Sequence, residues 1–130
     1  MQNSKVLNAI LAIAGLMFVA VGIFSMFSPE SFVTRNGASL GNNLSLLNDY
    51  RGSGGLIFGA GLIILLGVIH SRMAFTSTVV ATVLFLTFGI GRAISVFTDG
   101  MPAEGLMKAM VVEIIVGLLG AFALIKFRKS

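Results

Sequence analysis

The chain has 130 residues, of which 56% are hydrophobic and only 11% charged, with a formal net charge of +4 and a mean hydropathy of +0.99. A typical globular domain is roughly a quarter charged, so this chain cannot cover a water-facing surface and reads as a membrane protein. Cysteine is absent, which excludes disulfides, thiolate metal sites and cysteine nucleophiles, and the one histidine, His70, excludes a multi-histidine metal site. No metal or cofactor is expected.

The apolar residues separate into four runs. Each, with its flanks, reaches the about 20 residues that a helix needs to cross the hydrocarbon. The runs are continuous rather than alternating, which selects helix over strand. The first span covers about residues 6–27. It is too long for a signal-peptide core, and no A-x-A cleavage site follows, so it is expected to remain as a span. An outer loop, about 28–47, comes next. Within it Ser28-Pro29-Glu30 reads as a helix start and Asn36-Gly37 as its end. This predicts a short interfacial helix with Phe32 and Val33 dipping into lipid. Asn43-Leu44-Ser45 matches a glycosylation sequon, a pattern too short to carry weight alone.

The second span, about 48–69, and the third, about 73–97, are joined by the short turn His70-Ser71-Arg72 and should form an antiparallel hairpin. Asp99-Gly100-Met101-Pro102 leads into the fourth span, about 103–126. Pro102 suits a first helical turn, and Glu104 complements the dipole there. The expectation is one all-α domain over residues 1–130, an integral membrane four-helix bundle.

Orientation follows from the basic residues. Lys5, Arg72, Lys126, Arg128 and Lys129 occupy one set of flanks with no acid among them. The opposite flanks mix Glu30, Arg35, Asp49, Arg51, Asp99, Glu104 and Lys108. The first set should be cytoplasmic, which puts both termini inside. Because the basic residues are divided among separate loops, nucleic acid is a poor partner. The bilayer is the expected partner, with a homo-oligomer or a larger membrane complex left open.

Ionisable residues inside spans carry most of the functional information. Arg51 falls at the outer end of the second span. Arg92 lies roughly 27 Å along the third, also near its outer end. Glu113 falls near mid-membrane in the fourth. An isolated charge there costs about 3 kcal/mol, so Glu113 needs a partner, a proton or water. Arg92 and Arg51 are the evident partners.

Helical faces agree. On the third span Thr78, Thr82, Phe85, Gly89, Arg92, Val96 and Asp99 make one stripe. On the fourth, Leu106, Met110, Glu113, Gly117, Gly120 and Leu124 make another. Arg51, Gly55 and Gly59 share a face of the second, where Gly55-x-x-x-Gly59 would admit a neighbouring helix closely. Ala12, Gly15, Val19 and Gly22 give the first span a small-residue face. The bundle should be tight and apolar at its cytoplasmic end and polar at its outer end.

Three readings of the charged cluster remain open. It is a structural ion network in which Arg51 and Arg92 balance Glu113 with Asp49 or Asp99. Or it is an outward-facing pocket, where two arginines, Tyr50 and a deep carboxylate hold an anionic headgroup or polar ligand. Or it supports proton chemistry at Glu113. His70 lies at the opposite membrane edge, so no Ser-His-Asp arrangement can be built. Gly52-Ser53-Gly54-Gly55 lacks the lysine and the preceding strand of a phosphate loop.

One ordered set of residues is more specific. Pro29 follows the first span, and Asp49-Tyr50-Arg51-Gly52-x-Gly54-Gly55 opens the second. Gly91-Arg92-x-x-Ser95 ends the third, Asp99-Gly100-x-Pro102 follows, and Glu113 stands in the fourth. In this the chain resembles, over nearly its whole length, the small bacterial membrane proteins of domain of unknown function 4345. The resemblance implies a four-helix protein of the bacterial inner membrane with no assigned activity, and adds no substrate. The leading expectation is a non-enzymatic protein that binds a lipid-like or anionic ligand or serves as an accessory subunit. A membrane-embedded enzyme with Glu113 as acid or base, and a small oligomeric transporter, are the alternatives.

Overall fold

The computed structural model describes residues 4–127; Arg128 and Lys129 of the basic flank lie outside the described residues. It contains five α-helices: α1 (Lys5–Phe27), α2 (Pro29–Arg35), α3 (Leu44–Ile69), α4 (Ala74–Asp99) and α5 (Glu104–Phe127). A 3-10 turn, Ser71–Met73, precedes α4, and no strand occurs among the described residues. The long helices α1, α3, α4 and α5 are each apolar enough to cross a membrane, so the chain is an all-α, multi-pass membrane protein.

Side chains set the helix boundaries. Ser4 Oγ accepts from the Val6 amide at 3.2 Å and starts α1. Asn43 Oδ1 accepts from the Leu46 amide at 3.0 Å, so the sequon asparagine is a helix cap. With that cap α3 begins at Leu44, earlier than the expected 48, and Asp49, Tyr50 and Arg51 lie inside the helix. Pro29 takes the first position of α2, where its missing N–H costs nothing. Gly100, at φ +106°, ends α4 in a conformation that a side chain would oppose.

The threonines of α4 are explained by the same accounting. Thr78, Thr82 and Thr87 donate to the carbonyls of Ala74, Thr78 and Val83 at 2.6, 2.7 and 2.7 Å. Among the described side chains no buried polar atom lacks a partner.

Packing is uneven. α1 lies most extensively against α3, and α4 against α5, while α1 meets α4 and α5 only sparsely. The α1–α3 seam is backbone on backbone. A Cβ on Gly22 would stand 2.7 Å from the Gly54 carbonyl oxygen, and one on Gly61 2.8 Å from the Val19 amide nitrogen. The close approach expected at Gly55 and Gly59 is therefore made by Gly54 and Gly61 instead. Gly55 meets only the Met26 sulfur, at 3.7 Å, and Gly59 faces open space. Gly15 sits on the same seam, against Leu65 and Gly61. Between α4 and α5, Gly117 receives Leu86 and Gly120 receives Thr82. Outward-facing Ile13, Leu56, Ile94 and Ile115 suit a lipid surround.

At the end nearest the chain termini, Leu7, Leu11, Ala14, Ile64, Ala81, Ala123 and Phe127 close a four-sided core. The core stops at Phe18 and Phe85, whose rings stack at 4.2 Å and 18°. Toward the other end, α4 buries nothing beyond Gly89 and α5 nothing before Glu113. There α2 folds over the bundle. Val33 is only 2% exposed, and Phe32 sits edge-on to Phe24 at 5.5 Å and Tyr50 at 6.3 Å. Protein, not lipid, thus takes up Val33, and Phe32 packs between two rings.

Candidate functional site

Where the core stops, a cavity of about 750 Å³ begins. Phe18, Phe85 and Phe88 form its base; Phe18 meets Phe88 edge-on at 6.1 Å. α1 contributes Met17, Val21 and Ser25, and α3 contributes Asp49, Tyr50, Ser53 and Ile57. α5 supplies Leu106, Lys108, Ala109, Val112 and Glu113, and Phe32 and Val33 of α2 cover the end. The volume falls in the range of roughly 300–1,000 Å³ typical of small-molecule pockets, and mixed apolar walls with a few polar groups are usual there.

Arg92 and Glu113 hold the deepest polar position. Arg92 is seven residues before the end of α4 and Glu113 nine after the start of α5, which places them about 10–14 Å below the α2 end. Arg92 Nε donates to Glu113 Oε1 at 2.7 Å, and Nη2 faces Oε2 at 3.4 Å. This is a two-pronged fork with one strong prong. Glu113 is buried, at 9% exposed, while the Arg92 side chain retains 32%. The guanidinium also lies over the Phe88 ring, 5.8 Å from its centre. The carboxylate that had to find a partner in the membrane has one.

The other candidates divide. Asp49 and Tyr50 line the same cavity as the ion pair. Arg51 does not: its Nη1 donates to the carbonyl oxygen of Met26, near the C-terminal end of α1. There it satisfies a backbone acceptor and complements the dipole of α1. Ser95 Oγ donates to Asp99 Oδ2 at 2.9 Å on the exposed flank of α4, outside the cavity. The expected pair of arginines around Glu113 is therefore a single arginine.

Sequence reasoning passed over several residues. Lys108 lines the cavity while its Nζ pairs with Glu104 at 3.3 Å, both side chains exposed. Its spacing from Glu104 was legible as a surface helix pair, and nothing marked the cavity. Ser25 Oγ donates to the Tyr50 carbonyl at 2.8 Å and ties α1 to α3 at the wall. Of the phenylalanine base, Phe85 stands on the inward stripe of the third span, while Phe18 and Phe88 carry no sequence mark distinguishing them from lipid-facing aromatics.

The family model for a domain of unknown function (DUF4345) matches residues 6–124. The chain belongs to that family. The match takes in the whole cavity, including Arg92 and Glu113, so the site lies inside the DUF4345 domain. No curated protein and no solved structure matches the chain.

Chemically, the DUF4345 site offers an aromatic-based volume with one internally compensated charge pair. Asp49 and Lys108 add one charge of each sign. Such a surface can bury an apolar body and hydrogen-bond a polar end.

Proposed function

We propose that this DUF4345 protein is a non-enzymatic membrane protein that binds a small lipid-like molecule in the cavity beneath α2. The carrying observation is the cavity of about 750 Å³, set where the four-sided core ends and walled mainly by apolar side chains, with the Arg92–Glu113 pair in its wall. The ligand's apolar body lies on Phe18, Phe85 and Phe88, and its polar end meets the pair. The expected setting is the bacterial inner membrane, with the cavity on the outer side, as the basic flanks suggest.

The test is native mass spectrometry of the protein released from mild detergent, compared with Ala109→Trp. Ala109 lines the cavity, one helical turn before Glu113, and an indole there would take up part of its volume while leaving both charged residues in place. The expected result is a discrete bound mass on the wild type that is lost from a folded Ala109→Trp. A bare wild-type chain, or a bound mass that survives the substitution, would overturn the reading. Either outcome would leave Arg92 and Glu113 as a structural pair in an accessory subunit.

A further inference from the structure

Resting on the cavity reading, we infer that the ligand's polar end is an uncharged oxygen-bearing group, such as a hydroxyl, carbonyl or glycerol head, rather than an anion. Four charged side chains line the cavity: Arg92 and Lys108 carry positive charge, Asp49 and Glu113 negative, and the two signs balance. The deepest cation is already neutralised, because Glu113 Oε1 takes the Arg92 Nε–H at 2.7 Å. A carboxylate or phosphate entering there would set a second anion beside Glu113 in a low-dielectric site, and like charges resist it.

Uncharged oxygen meets no such opposition. The pair engages Arg92 through Nε and Nη2, and among the described residues Nη1 has no hydrogen-bond partner. Its N–H groups remain free donors on a cavity-lining residue. A carbonyl or hydroxyl oxygen can accept from Nη1, and a hydroxyl can at the same time donate to a free lone pair of Glu113. Both groups are then satisfied without net charge entering the bilayer interior. The apolar body enters where the wall is thinnest, between α1 and α5. These helices pack sparsely, and Val21 and Val112 line the cavity while remaining 37% and 39% exposed. That face points toward acyl chains rather than water, so a membrane-dissolved molecule reaches the site sideways.

The experiment uses probes that share one acyl chain and differ in the head. 1-Oleoylglycerol and oleate are titrated separately into the full-length protein in mild detergent, with native mass spectrometry as readout. Wild type should bind 1-oleoylglycerol at least about tenfold more tightly than oleate. Glu113→Gln removes the compensating anion and should reverse the order. Asp49→Asn, exposed at the cavity and away from the pair, should raise oleate affinity a few-fold and needs no buried change. Oleate binding as tightly as 1-oleoylglycerol, or more tightly, would overturn the inference. If Ala109→Trp abolishes that oleate binding, the cavity reading survives and only the uncharged head falls. If neither probe binds wild type, or both bind Ala109→Trp as well as wild type, the two readings fall together.

Discussion

Replacing Gly22 by alanine isolates the force that holds α1 to α3. The added Cβ would stand 2.5 Å from the Phe58 amide nitrogen, 2.7 Å from the Gly54 carbonyl oxygen and 2.7 Å from Phe58 Cα. All three are backbone atoms, so no side chain can rotate away. Relief requires the helices to part by about 1 Å, to the roughly 3.5 Å of normal contact, and a gap of that size forfeits a quarter to a half of the dispersion across it. Overpacking of this kind costs about 1–3 kcal/mol. Alanine's helix propensity returns up to about 1 kcal/mol. Gly59→Ala provides the control, because it gains the same propensity and its Cβ meets open space. The difference between the two variants is then the contact term alone, about 1–3 kcal/mol with Gly22→Ala the less stable. Reversible unfolding in mixed micelles, titrated with denaturing detergent, measures both. Equal stabilities would refute the backbone-on-backbone seam.

Two further predictions concern the cavity. Breaking a buried pair by removing one partner costs about 3–5 kcal/mol, but the 32% exposure of Arg92 lowers the expected loss for Glu113→Gln, to about 1–3 kcal/mol. The double variant Arg92→Gln/Glu113→Gln should lose less than the sum of its singles, and a double-mutant cycle in the same unfolding assay with no coupling would disprove the ion pair. Phe85→Ala removes half of the stacked base and should destabilise by about 3 kcal/mol. It should also open the cavity toward the core, read as uptake of a larger bound mass; a variant as stable as wild type would show that the stack bears no load.

The four spans were legible because hydropathy and span length constrain them directly. The partnership of Arg92 and Glu113 was legible for a similar reason: a carboxylate at that depth is too costly alone. Arg51 shows where such reasoning ends. Its charge was evident, but the direction of its side chain depends on how α3 is rotated against α1, and that is set by contacts far apart in sequence. The glycines of α3 make the same point. Gly52, Gly54, Gly55, Gly59 and Gly61 offer small residues on several faces, and the spacing of Gly55 and Gly59 suggests one seam as well as Gly54 and Gly61 suggest another. The opposing face of α1, with Gly15, Val19 and Gly22, chooses between them. Val33 reads as a lipid-facing residue until the fold turns that face of α2 onto the bundle, since burial in protein and burial in lipid ask for the same side chain.

The uneven packing has a mechanical consequence. α1 and α3 form one leaf, locked by glycine contacts that leave no slack; α4 and α5 form the other, closed by Gly117 and Gly120. The covalent link between the leaves within the bundle is the short 3-10 turn Ser71–Met73, at the end away from the cavity. One leaf pivoting on the other about that turn would widen the cavity end most, like a book opened from its spine. A pivot of that kind would stretch the Arg92–Glu113 bond little, since both residues ride on the same leaf. The polar anchor would stay fixed while the opposite wall of α1, with Val21 and Ser25, moves to admit a guest.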